Sequence, residues 1–282
     1  MITIVIPTYN NLDYLKLCIK SIKNNSSNKY KIILHINEGT DGTLDYANEN
    51  NFEYSFSKKN IGLCTSLNNA CKLVKTDYIL YTHDDMYFCP GWDDALIKEL
   101  KNQNDILFYL SGTMIEKSAG HIQYDCGDNL QNFDEKKLLN NYKNLNYYDH
   151  QGSHFAPHLI HKKIWNKIGG LSEEFNPGMC SDPDLNMKLW NEGVRVFKGI
   201  NDFRVYHFGS LTSRKKQNLV QNKGHYTFLK KWKITHKFFT KHYLRSQEVF
   251  DGPLRKPNKN FFYFIELFIC KIKLLFLLIK NE

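Results

Sequence analysis

The chain has 282 residues, 42% hydrophobic and 14% aromatic, which is enough to bury a full core and too apolar for a disordered chain. Its formal net charge of +9 is uneven: residues 1–210 sum to −3, residues 211–260 to +11 and residues 261–282 to +1. Seven cysteines without a Cys-x-x-Cys pair, and no basic apolar leader, argue against a disulfide scaffold or zinc ribbon and fit a reduced, cytosolic setting. Ile2 to Ile6 is a β-branched run stopped by Pro7 and predicts a central strand. Asn10 or Asn11 then caps a helix in which Leu12, Leu15, Ile19 and Ile22 keep helical spacing, and Tyr30 to Ile36 predicts a second strand. Strand, helix, strand calls for a parallel right-handed unit.

The polar turn from Asn37 to Thr43 follows, with Asp41 or Thr43 placed to cap a helix through Asn48. Phe52 to Phe56 predicts an edge strand, and Asn60-Ile61-Gly62 precedes a helix marked by Leu63, Leu67, Ala70 and Val74. Tyr78 to Tyr81 predicts a buried strand that breaks off into His83-Asp84-Asp85 before Pro90-Gly91 turns the chain. By itself an Asp-Asp pair there reads as a solvated turn or a helix cap. In a parallel sheet, however, the turns after strands one, two and four share an edge and line one crevice, where such sheets bind ligands. Adjacent acids in that place suit a divalent cation bridging to a phosphate.

Together, Ile4-Val5-Ile6-Pro7-Thr8-Tyr9-Asn10, Asp41-Gly42-Thr43, Asn60-Ile61-Gly62 and His83-Asp84-Asp85 with Pro90-Gly91-Trp92 resemble the family 2 glycosyltransferases. The resemblance runs to about residue 213. It implies an α/β GT-A fold, a Rossmann-like, mainly parallel sheet flanked by helices, with a nucleotide-binding half (1–115) and an acceptor half (116–213). It also implies a nucleotide-diphosphate sugar donor, a UDP-sugar being expected, with manganese or magnesium and inverting transfer to a glycan or lipid-linked acceptor. Pro7, Thr8 and Tyr9 would then line base and ribose, and the turn carrying Asn37, Glu38 and Asp41 would contact the base. Asn60 and Gly62 would join the donor site, Asp84 would hold the ribose, and Asp85 the metal. The family's turn begins with Asp where this chain has Asn37 and Glu38, so which of these reads the base stays open. His83 stands where the family's Asp-x-Asp begins and is either structural or in contact with the donor.

Residues 93–150 are less informative: Ile106 to Leu110 predicts a strand, and no residue there is a nameable ligand. The spacing of His121, His150, His154, His158 and His161 matches no zinc site. Gly169-Gly170-Leu171-Ser172-Glu173-Glu174 resembles the family's Gly-Gly-Phe-Asp-Glu turn, which implies close approach of its backbone to the donor sugar. Ser181-Asp182-Pro183-Asp184 opens a helix and resembles Glu-Asp-x-Asp. That resemblance makes Asp182 the general base and has Asp184 position it or the acceptor, against the alternative that Asp182 only caps the helix. Val194 to Ile200 and Phe203 to Tyr206 predict two more strands. His207 follows them and is either structural or the histidine that closes the metal site.

Residues 214–282 form a basic helical extension. Val220, Tyr226, Phe228, Leu229 and Trp232 predict a helix among lysines. Phe261 to Ile279 is a 19-residue apolar stretch holding Glu266, Lys271 and Lys273. Each charge at a bilayer centre costs about 2.5–3.5 kcal/mol, which weighs against spanning. Glu266, Lys273 and Lys280 share one stripe, and an interfacial helix behind a polybasic segment predicts an enzyme held at the inner, cytoplasmic face of an anionic membrane. The alternative is a tail helix packed on the protein or a partner subunit. Two other functions remain. Nucleic-acid binding through the basic segment is disfavoured by the helical spacing of its aromatics, so no nucleic acid is expected. Nucleotidyl transfer on a similar fold leaves Asp182 and His207 unexplained.

Overall fold

Apolar strands set the frame in the computed structural model, which describes residues 1–209 and 217–279. The expected domain boundary near Ser213, the side chain of Val220, and Lys280 of the expected stripe lie outside the described residues. The first half alternates as β1 (Ile2–Tyr9), α1 (Leu12–Asn25), β2 (Lys31–Asn37), α2 (Thr43–Glu49), β3 (Glu53–Ser57), α3 (Leu63–Cys71) and β4 (Tyr78–Tyr81). Then come β5 (Met86–Phe88), α4 (Trp92–Lys101), β6 (Phe108–Glu116), β7 (Ile122–Gln123), α5 (Glu135–Asn141), β8 (His150–Gln151) and β9 (His158–His161). The chain continues through α6 (Lys162–Ile168), α7 (Ser181–Asn191), β10 (Val196–His207), α8 (Gln217–Trp232), α9 (His236–His242) and α10 (Phe261–Ile279).

The sheet runs in the order β3-β2-β1-β4-β9-β6-β10-β5, with β7 beside β6 and β8 beside β10. Strands β1 to β4 are parallel neighbours, whereas β9 and β5 enter antiparallel. Helix α3 packs on β1 and β2, α1 on β5, and α4 on β10. Ile4, Val5 and Ile6 are therefore shielded on both faces and fully buried, each contributing about 1.5–3 kcal/mol of transfer energy.

Several boundaries differ from expectation for physical reasons. Pro7 does not stop β1. Val5 accepts from the Thr82 amide, and β4 pairs with β1 only through Val5, so Pro7 lacks its N–H on a side that β4 has already left. The two strands expected at 194–206 are one, β10, with an irregularity between Ile200 and Arg204 that absorbs the polar Asn201-Asp202. The strand expected at 106–110 begins at Phe108 and runs on to Glu116.

The basic extension is not a separate appendage. Phe228, Phe239 and Leu244 are fully buried in the main core, and Lys231 and Trp232 reach back onto α7. Helix α10 docks on α9 through Tyr263, Cys270 and Glu266, whose carboxylate takes His242 at 2.9 Å and Lys241. Glu266, expected on a water-facing stripe, thus faces the protein. Phe261, Ile265, Phe268, Ile272, Phe276 and Ile279 are exposed instead.

Candidate active site

Two strand pairings build the first cluster. Strand β5 starts one residue after Asp85 and pairs antiparallel with the end of β10, setting Met86 opposite His207. Strand β6 runs parallel to β10 with Ile115 opposite Tyr206, so Glu116 arrives beside His207. His207 Nδ1 lies 2.6 Å from Glu116 Oε1, and Nε2 lies 3.3 Å from Asp85 Oδ1. His83 Nδ1 stands 3.9 Å from the same Asp85 oxygen. Burial opposes charge on His207, yet Asp85 and Glu116 together raise it to about 10. Burial would raise Asp85, but His207 and His83 outweigh it and hold the carboxyl well below the usual carboxylate range. Burial lowers His83 to about 4, leaving a neutral ring with lone pairs to give.

The donor set fits a divalent cation. One ligand atom from each of His83, Asp85 and His207 lies within 4.8 Å of the others. His207 Nε2 is buried and faces the Asp85 carboxylate at 3.3 Å. The charged ring turns Nε2–H toward Asp85; a divalent cation would displace that proton and take both side chains, with Nδ1–H held on Glu116. His83, left open between two roles by the sequence, stands with the ligands. Glu116 was missed. Its only sequence signal was the apolar Met114-Ile115 pair continuing the strand before it.

Around this cluster the expected donor residues divide into two groups. Asn11 Nδ2 donates to Asp84 Oδ1 at 3.1 Å instead of capping α1, and burial together with Asp85 raises the Asp84 carboxyl. Asp41 accepts from the Leu12 amide at 2.7 Å and the Thr43 amide at 3.2 Å, so its two oxygens tie the starts of α1 and α2 together. Asn37 is buried, donating to Ser66 and accepting from Ser57 and the Ile61 amide. Of the pair left open, Glu38 is the partly exposed one, bonded to Asn10 and to the Asn60 amide. Asn60 accepts from the Gly62 amide. A Cβ at Gly62 would meet Asn176 Oδ1 at 2.5 Å, so glycine is required there by the Asn176 cap on α3. Pro7 and Thr8 are buried and Tyr9 half-buried, and the residues that follow them, Asn10 and Asn11, line a groove with Tyr14, Asp41 and Leu130. A second cleft, lined by Glu116, Lys117, Asp128 and Gly209, opens beside His207.

The second carboxylate is unlike the first. Cys180 occupies the cap position of α7 with no side-chain cap, so capping does not account for Asp182. Among the described residues no hydrogen bond reaches the Asp182 carboxylate, and burial alone pushes it up to about 7. Asp184 is fully buried, with Oδ1 2.9 Å from Lys231 Nζ and 2.8 Å from Trp232 Nε1. It fastens α8 to α7 through Oδ1, a structural task beside the positioning role expected of it. Gly169 ends α6, and Gly170 lies against Asn68 Oδ1, so the protein itself accounts for the glycine pair expected at the donor sugar. Burial first, and then the charges of Asp182, Asp85 and Asp84, raise the Tyr81 phenol, so both carboxylate groups act on this ring.

Solved structures similar to this one share its architecture. S. aureus TarS 1-349 aligns with a TM-score of 0.54 at 15% identity, over 73% of this chain and 60% of that one. GalNAc-T7 with UDP, GalNAc and Mn2+ aligns at 0.56 and 14% identity, over 73% and 43%. These matches establish the GT-A fold. Among curated proteins, the hyaluronan synthase of Pasteurella multocida is 27% identical over 234 residues, covering 80% of this chain, and the chondroitin synthase of Escherichia coli is 26% identical over 235. The chain spans only 22% and 32% of those two proteins. The family model for glycosyl transferase family 2 matches residues 3–160, more than half of the chain. This chain belongs to glycosyl transferase family 2.

Proposed function

We propose that the chain transfers a sugar, with inversion, from a nucleotide-diphosphate sugar to a hydroxyl of a glycan or lipid-linked acceptor. The observation that supports this reading is a cation-ready triad together with the half-buried Asp182 carboxylate, which no hydrogen bond reaches among the described residues. Asp182 is the general base: it accepts the acceptor's hydroxyl proton as the oxygen bonds to the anomeric carbon and the bond to the donor phosphate breaks. Its raised affinity for a proton suits that task at neutral pH. Asp85, His207 and His83 would hold the divalent cation, manganese or magnesium, with Glu116 fixing the His207 ring. Such a cation neutralises charge on the leaving diphosphate, so no side chain has to protonate it. Glu38 reads the base and Asp84 the ribose. A UDP-sugar is the expected donor, in keeping with the UDP-GlcNAc held in one TarS complex, at a TM-score of 0.52, and the UDP and Mn2+ held in GalNAc-T7.

Calorimetry of UDP and UDP-sugars with and without manganese tests this reading. Binding that requires the cation in the native chain and vanishes in Asp85→Ala supports it; cation-independent binding overturns it.

The exposed face of α10 supports a second element, attachment to an anionic membrane surface. Eleven large apolar side chains of this helix are exposed, and Lys271 and Lys273 lie among them. No described helix is long and apolar enough to cross a membrane, so the reading is interfacial. Removing residues 258–282 should abolish sedimentation with anionic vesicles. The nucleic-acid alternative loses its support, because Phe228 is buried, Trp232 bonds Asp184, and Lys231 is held by Glu174 and Asp184.

A further inference from the structure

A second set of metal-ligating side chains lies behind the candidate base and takes no part in the reaction above. Cys180 precedes α7, His225 sits midway along α8, and His236 opens α9. Three separate elements thus bring one ligand atom each within 4.8 Å of the others. Cys180 Sγ is 3.1 Å from His225 Nδ1, and His225 Nδ1 is 3.1 Å from His236 Nδ1. The approach is built into the backbone. A Cβ at residue 224 would meet the Met179 carbonyl oxygen at 2.3 Å, so Gly224 is what lets α8 press against the Met179-Cys180 segment.

Hydrogen bonds do not satisfy this cluster. A ring nitrogen carries either one proton or one lone pair, so His225 Nδ1 makes a linear bond with Cys180 or with His236, not with both. A central cation satisfies all three at once. For tetrahedral zinc, with bonds of about 2.0–2.1 Å to nitrogen and about 2.3 Å to sulfur, ligand atoms stand about 3.3–3.6 Å apart, close to the separations seen. The two histidines are only partly buried, which leaves room for a water to complete the set. One thiolate and two imidazoles form a softer set than the two imidazoles and carboxylate of the first cluster, and they select zinc over magnesium or manganese.

We infer that Cys180, His225 and His236 form a zinc site that ties α8 and α9 to the start of α7, two residues from Asp182. This does not depend on the sugar-transfer reading. Cobalt(II) titration of the full chain tests it, because a thiolate-to-cobalt charge-transfer band can arise at this site and not at the His83, Asp85, His207 cluster, which has no sulfur. The expected result is a band saturating at one equivalent, displaced by zinc, unchanged in Asp85→Ala and absent in Cys180→Ser. His236→Asn, on a different element, should weaken cobalt binding by at least about tenfold. Added zinc should raise the melting temperature of the native chain and leave that of Cys180→Ser unmoved. No band in the native chain, or a band that survives Cys180→Ser or is unaffected by His236→Asn, overturns the inference.

Discussion

Asp85 and Asp182 are both aspartates whose charge is felt by the buried Tyr81, and their surroundings drive them in opposite directions. Asp85 has two histidines beside it, and their attraction outweighs burial, so its carboxyl is held ionised far below neutrality. Asp182 has no such company, and burial alone lifts it to about 7. A carboxylate surrounded by nitrogen ligands is prepared for a cation, whereas a lone one near neutral pH is prepared for a proton. On the proposed reading, two groups of identical chemistry take different tasks from their neighbours.

The sharpest way to break this comparison is to neutralise each in turn. Asp182→Asn should lower turnover by about 10²–10⁴-fold while leaving cation-dependent donor binding intact. Asp85→Ala should instead remove donor binding. If Asp182→Asn turns over at a near-normal rate in a steady-state assay, the proton goes elsewhere and the contrast between the two aspartates loses its meaning.

A milder change probes the support of the first cluster. Glu116 touches no proposed substrate and acts through His207 Nδ1. Glu116→Gln keeps the shape and removes the charge, so manganese affinity should fall about 10–100-fold by calorimetry. The limiting rate at saturating manganese should stay near normal. A fall in that rate with affinity unchanged would place Glu116 in the chemistry instead.

What could be read in the sequence was whatever had a local signal. Ile2 to Ile6 and Tyr78 to Tyr81 are apolar runs whose ends are marked by polar turns, and their convergence followed from parallel pairing. The local signal failed where distant chain decides the outcome. Glu116 acquires a role only because β6 lies beside β10, and Asn201-Asp202 looked like a break because the irregularity that absorbs it depends on that pairing. The structural task of Asp184 was not legible because its partners, Lys231 and Trp232, come from the segment where the family resemblance had ended. Cys180, His225 and His236 are 45 and then 11 residues apart, a spacing that matches no metal motif because each belongs to a different element.

The smallest expected effect concerns pH. Asp182 works as a base only when ionised, so in zinc-free manganese buffer kcat should fall about tenfold per unit as pH drops below 7. Stability should move the other way. A carboxyl raised from 3.8 to about 7 contributes stability that is complete below pH 4 and lost as pH rises through 7, because ionising it leaves a half-buried charge that no described residue pairs with. Asp182→Asn removes that charge, so it should gain about 1–3 kcal/mol over the native chain at pH 8 and little at pH 4. Denaturant melts at the two pH values measure the difference. An equal change at both would mean that Asp182 has a partner in solution, and with it the contrast to Asp85 would disappear.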